Sequence, residues 1–200
     1  MKEEMAKSKN PSEEVFVGFA DKKYSVVYAD PPWSYRQHGT GPKSRGNAEQ
    51  HYHTMTVEDI CALPVCQLAG GGQGCVLFMW ATFPQIPDAL KVMEAWGFEY
   101  KTAAFVWIKK YKSGGNFWGM GAYTRANAEV CLLGVTHGFK AKNFIKSHSV
   151  HQVIEAPIQA HSVKPDETRR RIVELVGDVP RIELFARQRA PGWDAWGDEL

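Results

Sequence analysis

Short apolar runs alternate with helical patterns along most of the chain. The apolar runs predict strands at residues 24–29, 75–80, within 101–108, at 129–135 and at 181–185. Apolar residues at helical spacing predict a helix over 84–96 that Gly97 ends, and another that begins at Pro165 and ends at Gly177. Thr56 begins a shorter helix that Pro64 bends or ends. This alternation without repeats predicts a doubly wound α/β sheet in a single domain.

Polar and glycine-rich segments separate these elements. Residues 1–14 are rich in Lys, Glu, Ser and Pro and predict a disordered tail, which leaves 15–200 as the folded domain. The polar stretch 34–54 is long enough to be a lid or a binding loop. Glycines predict a turn at 70–74 and a loop at 113–123, and 192–197 form an aromatic tail. The apolar residues of 136–160 show neither helical nor strand spacing, so this segment stays unassigned.

Composition excludes several classes of protein. The chain is 44% hydrophobic and 23% charged, as in ordinary globular proteins, and lacks an apolar run of 18 residues that could cross a membrane. Its first residues have no apolar core typical of a secretory signal. The four cysteines form no Cys-x-x-Cys pair, which favours reduced thiols. We expect a cytoplasmic protein without membrane contact.

Charge is unevenly distributed. Residues 101–171 hold twelve Lys or Arg against four Asp or Glu, although the whole chain has a formal net charge of only +2. Such a basic third suits a polyanion, nucleic acid above all, although solvated helix and loop charges would give the same count. Seven tryptophans exceed what a core of this size needs, so we expect some of them to face a ligand.

The tetrapeptide Asp30-Pro31-Pro32-Trp33 follows directly on the first predicted strand. An acid, two rigid prolines and a large aromatic residue at a strand end form a site for a planar ring that bears an amine. A proline turn with an acidic cap and a core tryptophan is the alternative interpretation. Because ligands of doubly wound sheets bind beyond the carboxyl ends of the strands, Asp30, Trp80, Lys109 and Arg187 are expected to share one site.

Several further blocks recur in the order found in one family. They are Tyr52-His53-Thr54-Met55, Leu77-Phe78-Met79-Trp80, Trp96-Gly97-Phe98, Trp107-Ile108-Lys109, His161-Ser162-Val163-Lys164-Pro165, Ile182-Glu183-Leu184-Phe185-Ala186-Arg187 and the end from Gly192-Trp193 to Leu200. With the tetrapeptide, residues from about 24 to 200 resemble the N6-adenine methyltransferases typified by the catalytic subunit of the eukaryotic mRNA N6-adenosine methyltransferase, a family with short bacterial and phage members.

The resemblance implies a Rossmann-like, S-adenosylmethionine-dependent methyltransferase whose catalytic motif precedes its cofactor-binding strand, a permuted order. The implied reaction is methylation of the exocyclic N6 amine of adenine in DNA, in a bacterial or phage-infected cell. Asp30 and the Pro31 carbonyl, which no strand would pair, would accept the two N6 hydrogens. Pro32 would fix the backbone, and Trp33 would stack on the flipped base.

The resemblance also assigns the remaining candidate residues. Cofactor contacts would come from Asp30, Lys164, Arg187, Asp198 and Glu199, with Arg189 as a further candidate. Candidate substrate contacts are Trp33, Tyr35, Tyr52, Trp80, Lys109 and Arg125. Core packing is the alternative for Trp80, as solvent exposure is for Lys164. Glu129 would orient a loop or form a structural ion pair.

Other interpretations remain open. An RNA adenine methyltransferase is the first alternative, and a catalytically silent nucleic-acid-binding partner subunit is the second. The loops 34–54 and 110–127 would read the target, and 110–127 resembles the family's dimer contact, so a homodimer or a heterodimer is expected. Histidines at 51, 53, 148 and 151 have metal-like spacing but no completing acid or cysteine, so no metal is expected.

Overall fold

The computed structural model describes residues 15–19, 21–34, 54–70, 74–121, 123–140, 142, 144–159 and 163–200. Within them, one sheet contains the seven strands β1 (Val26–Ala29), β2 (Val76–Ala81), β3 (Phe98–Lys110), β4 (Ala128–Thr136), β5 (Val153–Pro157), β6 (Arg181–Leu184) and β7 (Asp194–Trp196). The helices are α1 (Val57–Ala62), α2 (Ile86–Ala95) and α3 (Glu167–Val176). The chain is a mixed α/β domain.

The strand order is β5-β3-β4-β2-β1-β6-β7. β1 pairs in parallel with β2 and β6, β6 with β7, and β3 with β5, whereas β4 runs antiparallel to both β2 and β3. Six strands therefore end at one edge of the sheet, where β4 begins. The residues that follow β1, β3 and β6 meet there, together with the first residues of β4.

Apolar clusters cover both faces of the sheet. On one face, α1 and α2 pack through Ile60, Val92 and Trp96 onto alternate strand residues. On the other, α3 packs through Ile172 and Val176. β1 and β2 are buried along their whole length, as expected for central strands that lie between two layers of helices.

The predicted elements are present, with corrections at the sheet edges. β3 extends beyond the predicted 101–108 at both ends; residues 99–102 are exposed, so the start of the strand has no continuous apolar pattern. β5 lies within the unassigned 136–160, where only Ile154 of the strand is buried. β7 is a three-residue strand inside the expected tail. The antiparallel β4 makes the sheet mixed rather than wholly parallel.

Helix boundaries agree with the local signals. Thr56 accepts a hydrogen bond from the Asp59 N–H at 3.1 Å and caps α1, which ends before Pro64. Gly177 ends α3 with a φ of +84°, a conformation that favours glycine. All four cysteines are free thiols. None of the helices in the described part of the chain is long and apolar enough to span a membrane.

Candidate active site

The Asp30 tetrapeptide leaves the sheet immediately after β1. Pro31 and Pro32 carry no N–H, so the β1 ladder cannot continue through them. The chain instead forms a short bridge to the segment before α1, in which the Met55 N–H donates to the Pro32 carbonyl at 2.9 Å and the Ser34 N–H donates to the Met55 carbonyl at 3.2 Å. Asp30 is thereby held at the edge of the sheet.

The structure adds two details to the sequence-based prediction for the tetrapeptide. The Pro31 carbonyl accepts a hydrogen bond from the Trp33 N–H at 2.9 Å and, within the described residues, none from a neighbouring strand. This leaves one of its two lone pairs for a ligand. The Trp33 indole N–H donates to the Trp80 carbonyl at 3.1 Å, and only 5% of Trp33 is exposed. In this arrangement the ring packs in the core, and stacking of Trp33 on a base stays a prediction.

Asp30 is the first of four side chains of alternating charge that form a buried row. Lys164 Nζ lies 2.9 Å from an Asp30 carboxylate oxygen and 3.2 Å from Glu129 Oε2. Glu129 Oε1 lies 2.5 Å from Lys109 Nζ. Each of the four side chains is at most 22% exposed. Two acids and two bases leave the row with no net formal charge, so each buried charge is compensated by a neighbour.

Two tryptophans form an aromatic floor under this row. Lys164 Nζ lies 5.9 Å from the centre of the Trp80 ring, and Lys109 Nζ lies 5.2 Å from that of Trp107. The two rings meet edge to face, with centres 6.5 Å apart. Ammonium groups above aromatic faces gain cation–π stabilisation. The floor therefore supports the positions of both lysines.

The row sets the ionisation of its acids. Burial raises the pKa of Asp30 above that of an ordinary aspartate, and the charge of Glu129 raises it further, while Lys164 partly offsets both. For Glu129, burial also raises the pKa, but Lys164 and Lys109 outweigh it and hold the pKa below the ordinary value. Asp30 is thus the more basic carboxylate, and it faces the cavities described next.

Two adjoining cavities open at Asp30. The larger, about 400 Å³, is lined by Asp30, Pro32, Met55, Phe185, Ala186, Arg187, Trp196, Gly197, Asp198 and Glu199. The smaller, about 240 Å³, is lined by Tyr28, Asp30, Val163, Lys164, Arg169, Glu183, Phe185, Arg187, Gln188 and Glu199. Asp30, Phe185, Arg187 and Glu199 belong to both. These volumes suit a ligand of cofactor size that extends past Asp30.

Close packing brings the end of the chain to the larger cavity. The Ala186 N–H donates to the Trp196 carbonyl at 2.9 Å, and a Cβ on Gly197 would lie 2.3 Å from the Ala186 carbonyl oxygen. Glycine at 197 therefore lets the two segments touch. Phe185 has a φ of +59°, which is rare for a bulky residue. Its ring meets that of Trp196 edge to face, with ring centres 5.5 Å apart.

The smaller cavity has a wall built on a second buried ion pair. Arg169 donates to both carboxylate oxygens of Glu183, at 2.6 Å and 2.8 Å. Burial raises the pKa of Glu183, and Arg169 only partly offsets this rise. The Tyr28 hydroxyl accepts the Trp80 indole N–H at 2.7 Å. A paired, bidentate arginine is well held, which makes this wall of the site rigid.

The structure brings together some of the predicted site residues and not others. Asp30, Lys164, Arg187, Asp198 and Glu199 line the two cavities, and the cofactor contacts that the resemblance implies for them stay predictions. Lys109 and Glu129 lie in the buried row, where Glu129 forms the ion pairs that were one of its two alternatives.

The remaining predicted residues lie elsewhere. Trp80 is fully buried, as its core-packing alternative expected, and reaches the site only as the floor under Lys164. Arg125 is exposed on the loop between β3 and β4, above the Trp118 ring. Arg189 lines a separate groove beside α3. Tyr35 and Tyr52 lie outside the described residues, as do His51 and His53.

Sequence reasoning missed part of the cavity lining. Met55, Phe185 and Trp196 stand in blocks that carried the resemblance, but no role was assigned to them. The unusual backbone of Phe185 has no signal in the sequence. Within the described residues, no group of three His, Cys, Asp or Glu side chains is arranged to hold a metal.

The fold and site define a candidate enzyme, in which two adjoining cavities of cofactor size open beside a basic carboxylate where β1 ends. The family model MT-A70 matches residues 24–199, and the chain belongs to this family. It is 34% identical to the type II methyltransferase M.MunI of Mycoplasma sp over 205 residues, which cover 96% of this chain and 84% of that protein. The chain is a methyltransferase.

Eukaryotic proteins are similar over a smaller share of their length. The human N(6)-adenosine-methyltransferase catalytic subunit METTL3 is 27% identical over 186 residues, which cover 89% of this chain and 28% of that protein. An Arabidopsis thaliana N(6)-adenosine-methyltransferase MT-A70-like protein is 25% identical over 185 residues, 88% of this chain and 24% of that protein. The chain thus spans about a quarter of these relatives.

Proposed function

We propose that this methyltransferase transfers the methyl group of S-adenosylmethionine to the exocyclic N6 amine of adenine in DNA. The observation that carries the proposal is the position of Asp30, a basic, partly buried carboxylate at the junction of two cavities. The similarity to a type II methyltransferase over 84% of its length supports DNA as the substrate. The eukaryotic adenosine methyltransferases keep RNA as the alternative.

The cavity residues fit the parts of S-adenosylmethionine. The carboxylates of Asp198 and Glu199 suit ribose hydroxyls, which donate hydrogen bonds. The aromatic pair of Phe185 and Trp196 suits the cofactor adenine. Arg187 lines both cavities and would face the methionine carboxylate from the smaller one. When bound, the cofactor supplies an electrophilic methyl group on its sulfonium.

Asp30 would activate the target amine. The lone pair of an adenine amine is delocalised into the ring, so the enzyme must draw this nitrogen toward tetrahedral geometry. A carboxylate that accepts one N6 hydrogen, together with the remaining lone pair of the Pro31 carbonyl on the other, does this and shares the positive charge as it develops. The raised pKa of Asp30 strengthens it as an acceptor of the N6 hydrogen.

Lys164 would position Asp30. Its ammonium lies between Asp30 and Glu129 and fixes one carboxylate oxygen of Asp30, so the other can be directed toward the amine. It also keeps Asp30 ionised, because an ammonium at 2.9 Å favours the charged carboxylate. Glu129 holds this ammonium from the other side, and Lys109 in turn holds Glu129. The row is thus a rigid support for a single acceptor oxygen.

The family resemblance supports further proposals on strand order, domain bounds, location and assembly. The order would be permuted, with the catalytic strand β1 ahead of β6, which leads into the cofactor-binding residues. The tail predicted for 1–14 lies outside the described residues, and the domain boundary at 15 stays a proposal. We also propose a cytoplasmic enzyme of a bacterial or phage-infected cell that acts as a homodimer or beside a related subunit.

Asp30→Asn tests the proposal, with Asp21→Asn as the matched exposed control. Asp30→Asn should lower the rate of methyl transfer at least about 100-fold while the affinity for S-adenosylmethionine stays within a few fold. Asp21→Asn should match the wild type. Transfer assays with labelled methyl groups and calorimetric titration of the cofactor measure the two quantities. Full turnover by Asp30→Asn would show that another group activates the amine.

A further inference from the structure

Exposed aromatic and apolar side chains concentrate on one hairpin near the active site. Residues 111–127 connect β3 to β4 and are called the aromatic hairpin below. They contribute four of the eight large exposed hydrophobic side chains in the described residues, namely Tyr111, Trp118, Met120 and Tyr123. Trp118 is 65% exposed and Tyr123 is fully exposed. Such a patch on a connecting loop indicates a binding surface.

The hairpin displays these side chains on a well-fixed backbone. The Phe117 N–H donates to the Lys109 carbonyl at 2.9 Å, and the Trp118 N–H donates to the Tyr111 hydroxyl at 3.1 Å. A Cβ on Gly119 would lie 2.0 Å from the Ala126 carbonyl oxygen, so glycine is needed for the two sides of the hairpin to meet. These contacts hold Tyr111 and Trp118 in place before any ligand arrives.

The charge of the hairpin favours a polyanion over a protein surface. Residues 111–127 contain Lys112 and Arg125 and no Asp or Glu. The Arg125 guanidinium lies 4.9 Å from the centre of the Trp118 ring, a cation–π arrangement that presents a flat, positive surface. Aromatic faces combined with cations are the usual means by which proteins bind unpaired bases.

The hairpin adjoins the proposed catalytic residues through both of its ends. It follows Lys109 of β3 and leads to Glu129 of β4, and these two residues form an ion pair in the buried row beside Asp30. A nucleic acid that delivers an adenine to Asp30 would therefore pass close to the hairpin. Enzymes that act on a base must also accommodate the neighbouring nucleotides of the opened strand.

We propose that the aromatic hairpin, in place of the dimer contact that the resemblance implies for 110–127, binds the nucleotides that flank the target adenine, with the Trp118–Arg125 pair and Tyr123 as stacking platforms for unpaired bases. This inference rests on the proposed function and adds the residues that hold the substrate strand. It makes Trp118 and Tyr123 binding residues for single-stranded or opened nucleic acid. Arg125 would stack on Trp118 and attract the phosphates of the bound strand.

Binding of labelled oligonucleotides to Trp118→Ala and Tyr123→Ala tests the inference. The probes are a fluorescein-labelled adenine-containing DNA strand, the same strand in a duplex, and an RNA of equal sequence. Each variant should bind the single strand about 5-fold to 150-fold more weakly than the wild type, the range expected for loss of one stacked base. Tyr100→Ala is the control, since Tyr100 is 45% exposed at the opposite end of β3.

Two further measurements separate the alternatives. Sedimentation should show the same oligomeric state for the wild type and Trp118→Ala; a loss of dimer with unchanged nucleic-acid binding would identify a second copy as the occupant and overturn the inference. Binding within twofold of the wild type would overturn it as well. If the wild type methylates DNA while Trp118→Ala keeps its KM, the inference fails alone. If the wild type binds strands but methylates none, the proposed function fails alone.

Discussion

Replacement of Lys164 tests the buried row of charges most severely. Lys164→Met removes the ammonium that lies 2.9 Å from Asp30 and 3.2 Å from Glu129 and keeps a side chain of similar length. Asp30 loses its ammonium partner in the row, and the two carboxylates face each other in a buried setting. Removal of one partner from a buried ion pair costs about 3–5 kcal/mol of the free energy of unfolding.

A second substitution should recover part of this loss. Glu129→Gln alone leaves Lys164 paired with Asp30 but takes the carboxylate partner from the buried Lys109, so it should also cost about 3–5 kcal/mol. In the double variant the repulsion between the two acids is absent. The losses should therefore be less than additive by at least about 1 kcal/mol. Urea unfolding of the wild type, the two single variants and the double variant gives the coupling free energy directly.

An exposed ion pair supplies the control. Lys91 lies 3.1 Å from Asp88 on α2, and its side chain is 68% exposed, so Lys91→Met should cost about 0–1 kcal/mol. The deficit of Lys164→Met should also shrink as the pH falls, because Asp30 and Glu129 then take up protons and their repulsion disappears. A Lys164→Met deficit no larger than that of Lys91→Met would refute the row as a stabilising element.

Two other predictions concern the cavity and its acid. Gly197→Ala places a Cβ 2.3 Å from the Ala186 carbonyl oxygen, so it should lower the free energy of unfolding by about 1–3 kcal/mol and weaken binding of S-adenosylmethionine. Gly18→Ala is the control, because open space surrounds Gly18, and it should change neither quantity. Thermal unfolding with and without cofactor measures both effects. Only ionised Asp30 accepts the amine hydrogen, so kcat/KM should fall on the acidic side at a pH above the ordinary pKa of aspartate. Glu129→Gln removes a charge that raises the Asp30 pKa and should therefore move this acidic limb of the pH profile to lower pH. An unmoved limb would exclude Asp30 as the titrating group.

The sequence predicts the centre of the fold better than its edges. The fully buried β1 and β2 carry continuous apolar runs, and the end of β1 places Asp30 beside the two cavities. β5 and β7 are edge strands with few buried residues, so their stability comes from pairing with β3 and β6 rather than from their own pattern. Such strands have little local signal.

The site shows the same division. Motif blocks identify Asp30, Lys164 and Arg187, because each follows or adjoins a recognisable element. The pairing of Lys164 with both Asp30 and Glu129 joins residues far apart in the chain, and spacing alone does not contain it. Spacing alone does not contain the Trp118–Arg125 pair either, because it depends on how the hairpin folds back.

The central claim is methyl transfer to adenine N6 in DNA. The most direct measurement incubates the protein with methyl-labelled S-adenosylmethionine and matched single- and double-stranded DNA and RNA, followed by nucleoside analysis of each product. The account predicts labelled N6-methyladenine in DNA, absent with Asp30→Asn. Label confined to RNA would contradict the assignment of DNA. Bound cofactor with no label in any of the four substrates, or no cofactor binding at all, would contradict the account itself.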